Sequence, residues 1–284
     1  MNGSNNVAVG LLIFLNKFFK LPKHPFNMQS SGEKSYALWQ FEKGADTISF
    51  YLNCADTNTM FRDKAVLDIG CGAAGKSLYY LTLGAKSVCG IDLVSKYEAE
   101  AYALQEALGL SGFSFYTADA ADTGFDDNSF DTVIMNDAME HVDKPELVLK
   151  EIYRILKHGG RLYVNFPPYN HPYGAHLSDA IGIPWVHKLF SDKTLIEAYK
   201  RLVCDMSDGG ERIDFRIGLD ENGNEYFSYI NKMNIRRFKK LIQGAEFKVK
   251  YYHEEPLRRI FKPFVKLGIA KDYFAKMVVC VLEK

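Results

Sequence analysis

The chain has 284 residues, 47% of them apolar and 25% charged, proportions that exclude a disordered, collagen-like or disulfide-scaffold protein. Its 35 basic side chains balance 35 acidic ones. A generic nucleic-acid binder carries a basic excess, so nucleic acid is not an expected partner.

In chain order, the first segment is an arm, residues 1–58. Val7 to Phe19 reads as a helix broken near Pro22 and Pro25. No basic residue precedes its apolar run and no A-x-A site follows, so a signal peptide is not expected. Nine apolar residues, Val7 to Leu15, fall short of the ~20 that span a bilayer. Leu11, Leu12, Phe14, Leu15, Phe18 and Phe19 stand beside Lys17, Lys20 and Lys23. Residues 7–23 could therefore lie on an anionic membrane, as could Arg258 to Lys266. A lid or a subunit contact is the alternative, and monomer and homodimer both remain open. Residues 34–53 carry Ala37, Leu38, Phe41, Ala45, Ile48 and Leu52 at helical spacing.

From residue 59 to 166 strands and helices alternate. Strands are expected at 65–69, 87–91, 113–117, 130–135 and 161–166, with helices at 76–83, 97–108 and 145–156. Repeated β-α-β units imply a doubly wound, mostly parallel α/β sheet covered on both faces. Residues 167–230 lose the rhythm and read as an inserted cap with one helix, 193–202, capped by Ser191 or Asp192. Alternation resumes over 231–284 with a helix from Asn234 to Gln243 and strands at 247–252 and 277–282. Five scattered cysteines, Cys54, Cys71, Cys89, Cys204 and Cys280, with no C-x-x-C pair, suggest a reducing compartment and so the cytoplasm.

The strongest signal is Val66-Leu-Asp-Ile-Gly-Cys-Gly-Ala-Ala-Gly75. Glycines after a strand let backbone approach a ligand, and free N–H groups at the helix start are expected to face it. Asp92, 22 residues after Gly70, could accept both hydroxyls of a ribose. Gly70, Gly72 and Gly75 also satisfy a dinucleotide fingerprint, which keeps an NAD-dependent oxidoreductase as the alternative. Asp68 argues against it: a carboxylate there repels a diphosphate and welcomes an ammonium group.

Val66 to Asp92 resembles the first motif of class I S-adenosylmethionine-dependent methyltransferases, in their small-molecule, quinone-biosynthesis-like branch. Asp119-Ala120 resembles the adenine-contacting pair, Phe130 to Asp137 the fourth motif, and Glu140-His141-Val142 a triplet of that branch. The resemblance implies a seven-stranded Rossmann-like fold with an antiparallel final strand. The implied activity is methyl transfer from S-adenosylmethionine, leaving S-adenosylhomocysteine, to O, N or C of a small molecule. Asp68, Gly70, Cys71, Gly72, Asp92, Leu93, Asp119, Ala120, Asn136 and Asp137 would hold the cofactor, Cys71 through its backbone. The family often has a third glycine at Ala74, where alanine is expected to have little effect. A non-methylating or inactive cofactor-binding protein shares this half and stays open.

The cap segment is rich in aromatic and histidine residues. Tyr169, His171, Tyr173 and Trp185, with Tyr36 and Trp39 of the arm, are expected to line the substrate pocket. His141 and His176 are the base candidates. Asp137, Glu140 and His141 would share a helix face and resemble an acid-x-x-Glu-His metal cluster of some methyltransferases, completed by His171 or His176. Relatives carry Glu-His-Val without metal, and no metal is expected.

Overall fold

The structure is a computed structural model that describes residues 2–22, 27, 34–267 and 271–284. The arm supplies helices α1 (Asn2–Asn16), α2 (Tyr36–Glu42), α3 (Gly44–Ile48) and α4 (Thr57–Phe61). Lys23 and Pro25 lie outside the described residues. The single helix expected over 34–53 is divided at Gly44. A Cβ there would sit 2.4 Å from the Tyr79 ring, so the chain bends to fit against its neighbour.

The core alternates as expected: β1 (Ala65–Ile69), α5 (Gly75–Thr82), β2 (Ser87–Asp92), α6 (Tyr97–Ala107), β3 (Phe113–Thr117), β4 (Phe130–Asn136), α7 (Pro145–Ile155) and β5 (Leu156–Phe166). The cap contains α8 (Val186–Leu189), α9 (Asp192–Val203), α10 (Gly209–Arg216) and a small hairpin, β6 (Ile217–Leu219) with β7 (Glu225–Phe227). The end supplies α11 (Ile235–Gln243), β8 (Lys248–Pro256), α12 (Lys262–Leu267), α13 (Lys271–Phe274) and β9 (Ala275–Glu283).

The seven-stranded sheet runs β3-β2-β1-β4-β5-β9-β8. β1 to β5 are mutually parallel, and β9 is antiparallel to both β5 and β8. Chain order reverses between β1 and β4, so the carboxyl ends of β1, β2 and β4 open a crevice where α/β sheets bind ligands. One apolar cluster, with Leu67, Val133, Ile152, Leu162 and Phe238, covers one sheet face, and another, with Val66, Leu78, Val88, Ile134 and Tyr163, covers the other. Near-continuous apolar strands need burial on both sides.

A third cluster belongs to the cap. Val9 and Leu12 of α1 pack with Ile181, Leu195, Tyr199 and Ile230. The arm is therefore divided: α1 joins the insertion, whereas α2 and α3 pack on α5 of the core. Among the described residues no helix is long and apolar enough to cross a membrane.

Candidate active site at the carboxyl edge of the sheet

Near the end of β1 stands Asp68, a buried carboxylate that accepts from the Ser77 hydroxyl at 2.6 Å. Burial pushes its pKa up to about 6, against the Ser77 bond and the Lys76 charge. The turn that follows has Gly70 at φ 71° and Gly72 at φ 56°, a region that glycine enters without steric cost. The Gly72 N–H donates to Asp92 Oδ2 at 2.8 Å, and Val94 N–H to Oδ1 at 2.9 Å. Asp92, at the end of β2, thus braces the turn and keeps further lone pairs for a ligand. Desolvation raises its pKa against those backbone bonds.

The helix start is not left free. Gln40 on α2 is buried, donates to the Cys71 carbonyl at 3.1 Å and accepts from Gly75 N–H at 3.2 Å. The N–H expected to face a ligand is instead tied to the arm. A Cβ on Gly75 would sit 1.9 Å from the Ala37 carbonyl oxygen, so glycine here admits α2. Tyr36 lies against Gly72 and beside Tyr97, with ring centroids 5.6 Å apart, and Trp39 stacks on it at 6.0 Å. Burial pushes the Tyr36 phenol up. Tyr36, expected in the substrate pocket, stands over the glycine turn, with Trp39, expected there too, as its stacked partner.

Leu93 and Asp119 are exposed past the ends of β2 and β3, and Ala120 is buried beside them. Asp119 Oδ1 accepts from Ala121 N–H at 2.8 Å. Asn136 departs from expectation. Its amide is spent inside the core, accepting from Tyr51 and Asn165 at 2.6 and 2.7 Å and donating to Tyr80 at 3.1 Å. Its side chain is committed, so a ligand contact would fall to its backbone. Asp137 is exposed and pairs with Lys76 at 3.2 Å.

The helix expected over 137–141 is a turn. Asp137 takes φ 52°, which ends the strand in a left-handed residue, and helix geometry begins only at Pro145. The turn nonetheless brings His141 beside His176 of the cap, ring centroids 4.9 Å apart and nearly perpendicular. Glu140 Oε1 lies 3.9 and 3.8 Å from their Nε2 atoms. Burial raises the Glu140 pKa well above the carboxylate range and lowers that of His141. His141 Nδ1 is 2.6 Å from the Tyr229 carbonyl oxygen.

Among the described residues, His171, Tyr169 and Trp185 make other contacts. His171 Nδ1 accepts from Tyr173 N–H at 3.1 Å, and burial pushes its pKa down to about 4. Tyr169 packs on His187 at 4.8 Å. Trp185 lines an apolar cavity of about 360 Å³ with Lys188, Tyr273 and Phe274. Gln40, Ser77 and Tyr229 were not foreseen as site residues, and of these only Ser77, one turn into the helix after a glycine turn, had a sequence cue.

Residues 67–164 match the family model described as a methyltransferase domain. Phosphoethanolamine N-methyltransferase 1 of Arabidopsis thaliana is 36% identical over 104 residues, which are 36% of this chain and 21% of that protein. The chain thus spans about a fifth of the length of that relative. Phthiotriol/phenolphthiotriol dimycocerosates methyltransferase 1 of Mycobacterium ulcerans is 26% identical over 213 residues, 74% of either chain. A solved SAM-dependent methyltransferase from Methanosarcina mazei superposes with a TM-score of 0.51 at 22% identity, covering 80% of this chain and 95% of that one, a likeness of fold. The donor set suits S-adenosylmethionine: carboxylates at successive strand ends for its ammonium and ribose groups, and a turn that lacks a Cβ at Gly70 and Gly72. The family match makes residues 67–164 a methyltransferase domain, set in the seven-stranded sheet described above.

Proposed function

We propose that the chain transfers a methyl group from S-adenosylmethionine to an O, N or C atom of a small molecule. The convergence of Asp68, Asp92 and Asp119 on one sheet edge, beside the glycine turn, carries this reading. When bound, the cofactor supplies an electrophilic methyl on a sulfonium centre. Asp68 would hold its ammonium, Asp92 its ribose, and Asp119 with the Ala120 N–H its adenine. Leu93 and Tyr36 would wall the cleft, with Gly70, Gly72 and the Cys71 backbone forming its floor. α2 and the cap would exclude water, and alignment in a closed site supplies much of such a rate enhancement.

His141 is the better-placed base. With Nδ1–H donating to the Tyr229 carbonyl, its Nε2 lone pair is left for an acceptor proton. His176 stands beside it. The relatives differ in the acceptor they are named for, so the acceptor here is read only as a small molecule fitting an aromatic, histidine-bearing pocket made of cap residues. Tyr169, His171, Tyr173 and Trp185 are assigned to its outer wall. The free, scattered cysteines support a cytoplasmic setting.

Separate titrations with S-adenosylhomocysteine and NAD test the cofactor. Micromolar binding of the first alone is expected, and tight NAD binding alone would reverse the reading. A labelled methyl donor then follows transfer. A product unlabelled despite turnover would move the chain to the non-methylating users of this fold.

A second reading concerns the arm. Val7, Leu11, Phe14 and Phe18 form an exposed stripe along α1 and its extension, beside Lys17 and Lys20. Residues 2–22 contain no acidic side chain. We infer peripheral contact with an anionic membrane through this stripe. Sedimentation with anionic vesicles tests it: recovery in the pellet that Phe14→Ser/Phe18→Ser abolishes is expected, and no pelleting by the parent chain removes the idea.

A further inference from the structure

Trp185, Lys188, Tyr273 and Phe274 surround a cavity of about 360 Å³, within the range of small-ligand pockets. The sheet places it at the ligand edge. β9 runs antiparallel to β5 and pairs Val278 with Phe166, so Phe274, one residue before β9, lies past the carboxyl end of β5. The cap supplies the other wall. Trp185 N–H donates to the Pro172 carbonyl at 2.6 Å, and the residue takes φ 54°. That conformation is strained for an aromatic residue and persists only where the surroundings enforce it.

The polar groups of this cavity are donors without acceptors. The Trp185 indole N–H is buried and has no hydrogen-bond partner among the described residues, although a buried indole N–H ordinarily finds one. Lys188 makes no ion pair among the described residues. Its Nζ stands 4.9 Å from the Tyr169 ring centroid and 5.9 Å from that of Tyr273, so aromatic faces hold the ammonium at the apolar wall. Burial, then the Lys232 charge, lowers the Lys188 pKa against the pull of Asp272. That carboxylate also accepts from the Ile235 N–H at 2.9 Å. Lys232, 5.8 Å from the same Tyr169 ring, is already paired with Asp192 at 2.8 Å. His187, packed on Tyr169, is kept neutral by burial and by Lys188, its pKa pushed down to about 4. Neither of its ring nitrogens meets hydrogen-bond geometry with a described partner. An uncancelled cation and an idle N–H donor beside an apolar wall match an anion carried on an apolar body.

We propose that this cavity binds an anionic amphiphile, its apolar body between Trp185, Tyr273 and Phe274 and its carboxylate or phosphate on Lys188. In the methyl-transfer reading Trp185 and Tyr169 belong to the outer wall of the acceptor pocket, so the amphiphile is the acceptor. The inference rests on that reading in this respect alone.

The chain has two tryptophans, so in a Trp39→Phe background Trp185 is the sole indole reporter. Decanoate, decyl phosphate and the neutral decan-1-ol, each below its aggregation concentration, are titrated against its emission. A saturable shift at one equivalent per chain is expected. At least one anion should bind ~10-fold or more tightly than the alcohol, the worth of one hydrogen bond to a charged group, and the tighter anion names the head group. Calorimetry on the parent chain should give the same ranking without the background substitution. Lys188→Met, at an exposed position, should bring the anions down to the alcohol and leave the alcohol unchanged, whereas Tyr273→Ser should weaken all three. No saturable binding, equal affinity for anions and alcohol, or anion binding untouched by Lys188→Met overturns the proposal. Failure of the parent to bind S-adenosylhomocysteine would overturn the methyl-transfer reading instead and leave the amphiphile result standing.

Discussion

The sheet core and the cap are held by different physics. The core is closed by two apolar layers in which Leu67, Val133, Val164 and Leu282 are fully buried. The cap has an apolar cluster too, but at its heart lies an ion network. Asp179 is wholly buried and takes Arg212 at 3.2 Å, Arg216 at 3.1 Å and the Tyr199 hydroxyl at 2.8 Å. Both arginines are 2% exposed. An apolar layer tolerates changes of similar volume, whereas a buried ion network fails when one member is lost. The apolar layers of the core should therefore tolerate volume-conserving substitutions better than the ion network of the cap tolerates the loss of a member.

Asp179→Asn is the sharpest way to break that contrast. It leaves two buried guanidinium groups short of their shared carboxylate, a change that costs about 3–5 kcal/mol. Proteolysis should then cut first within residues 167–230, with S-adenosylhomocysteine binding retained. If cap and core instead unfold together, the two are one cooperative unit and the comparison fails.

Next in size is a pH effect confined to the core. The Asp68 pKa is raised to about 6 from 3.8, so the fold prefers the protonated form. Ligand-free protein should hold this stability below pH ~4 and lose it as pH rises through ~6, by on the order of 3 kcal/mol. Asp68→Asn should flatten that slope in chemical denaturation. Cofactor binding should run the other way, since an ammonium group favours the carboxylate. S-adenosylhomocysteine affinity should weaken below pH ~6 in the parent and lack that step in the variant. An identical slope in both proteins would remove Asp68 from the account.

The core was legible because β-α-β rhythm, glycine turn and strand-end acids are local signals. Asp68 and Asp92 could be placed from the strand pattern, since a parallel sheet puts successive strand ends on one edge, whereas Asp119 was singled out by motif resemblance. Gln40 was not, because its partners lie 31 and 35 positions away and a buried amide leaves no periodic trace. The Glu140-His141 pair was found but set on a helix; the left-handed Asp137 that prevents it carries no sequence mark beyond the tolerance of aspartate for that region. His176 reached the cluster, and His171 did not, through the path of a loop that spacing does not describe. Helix α10 and the β6–β7 hairpin were missed because the stretch lacks an apolar period: α10 buries Arg212 and Arg216, and only scattered residues such as Ile213, Ile217 and Phe227 join the apolar cluster of the cap.

Gln40→Ala tests the seam where arm meets core. Two buried hydrogen bonds would be lost and the Gly75 N–H left unpaired inside the protein, an expected loss of about 1–3 kcal/mol. Because α2 lies over the turn, cofactor affinity should fall along with stability. A fall in stability alone, with calorimetric affinity unchanged, would make α2 a structural strap and not a wall of the cleft.

The smallest effect expected is at Ala74, and its size is informative because three terms oppose one another. The residue sits at φ 58° and ψ 16° ahead of α5, a left-handed conformation that costs a Cβ-bearing residue roughly 1–2 kcal/mol. Ala74→Gly relieves that strain. It also frees the unfolded chain, worth about 0.4–1 kcal/mol against the fold, and removes a fully buried methyl worth ~0.8 kcal/mol. The sum should fall within about 1 kcal/mol of zero by denaturant unfolding, with cofactor affinity unchanged. A loss well beyond that would mean the methyl is a packing element of the apolar layer, and the core would then prove as exacting at its turn as the cap is at Asp179.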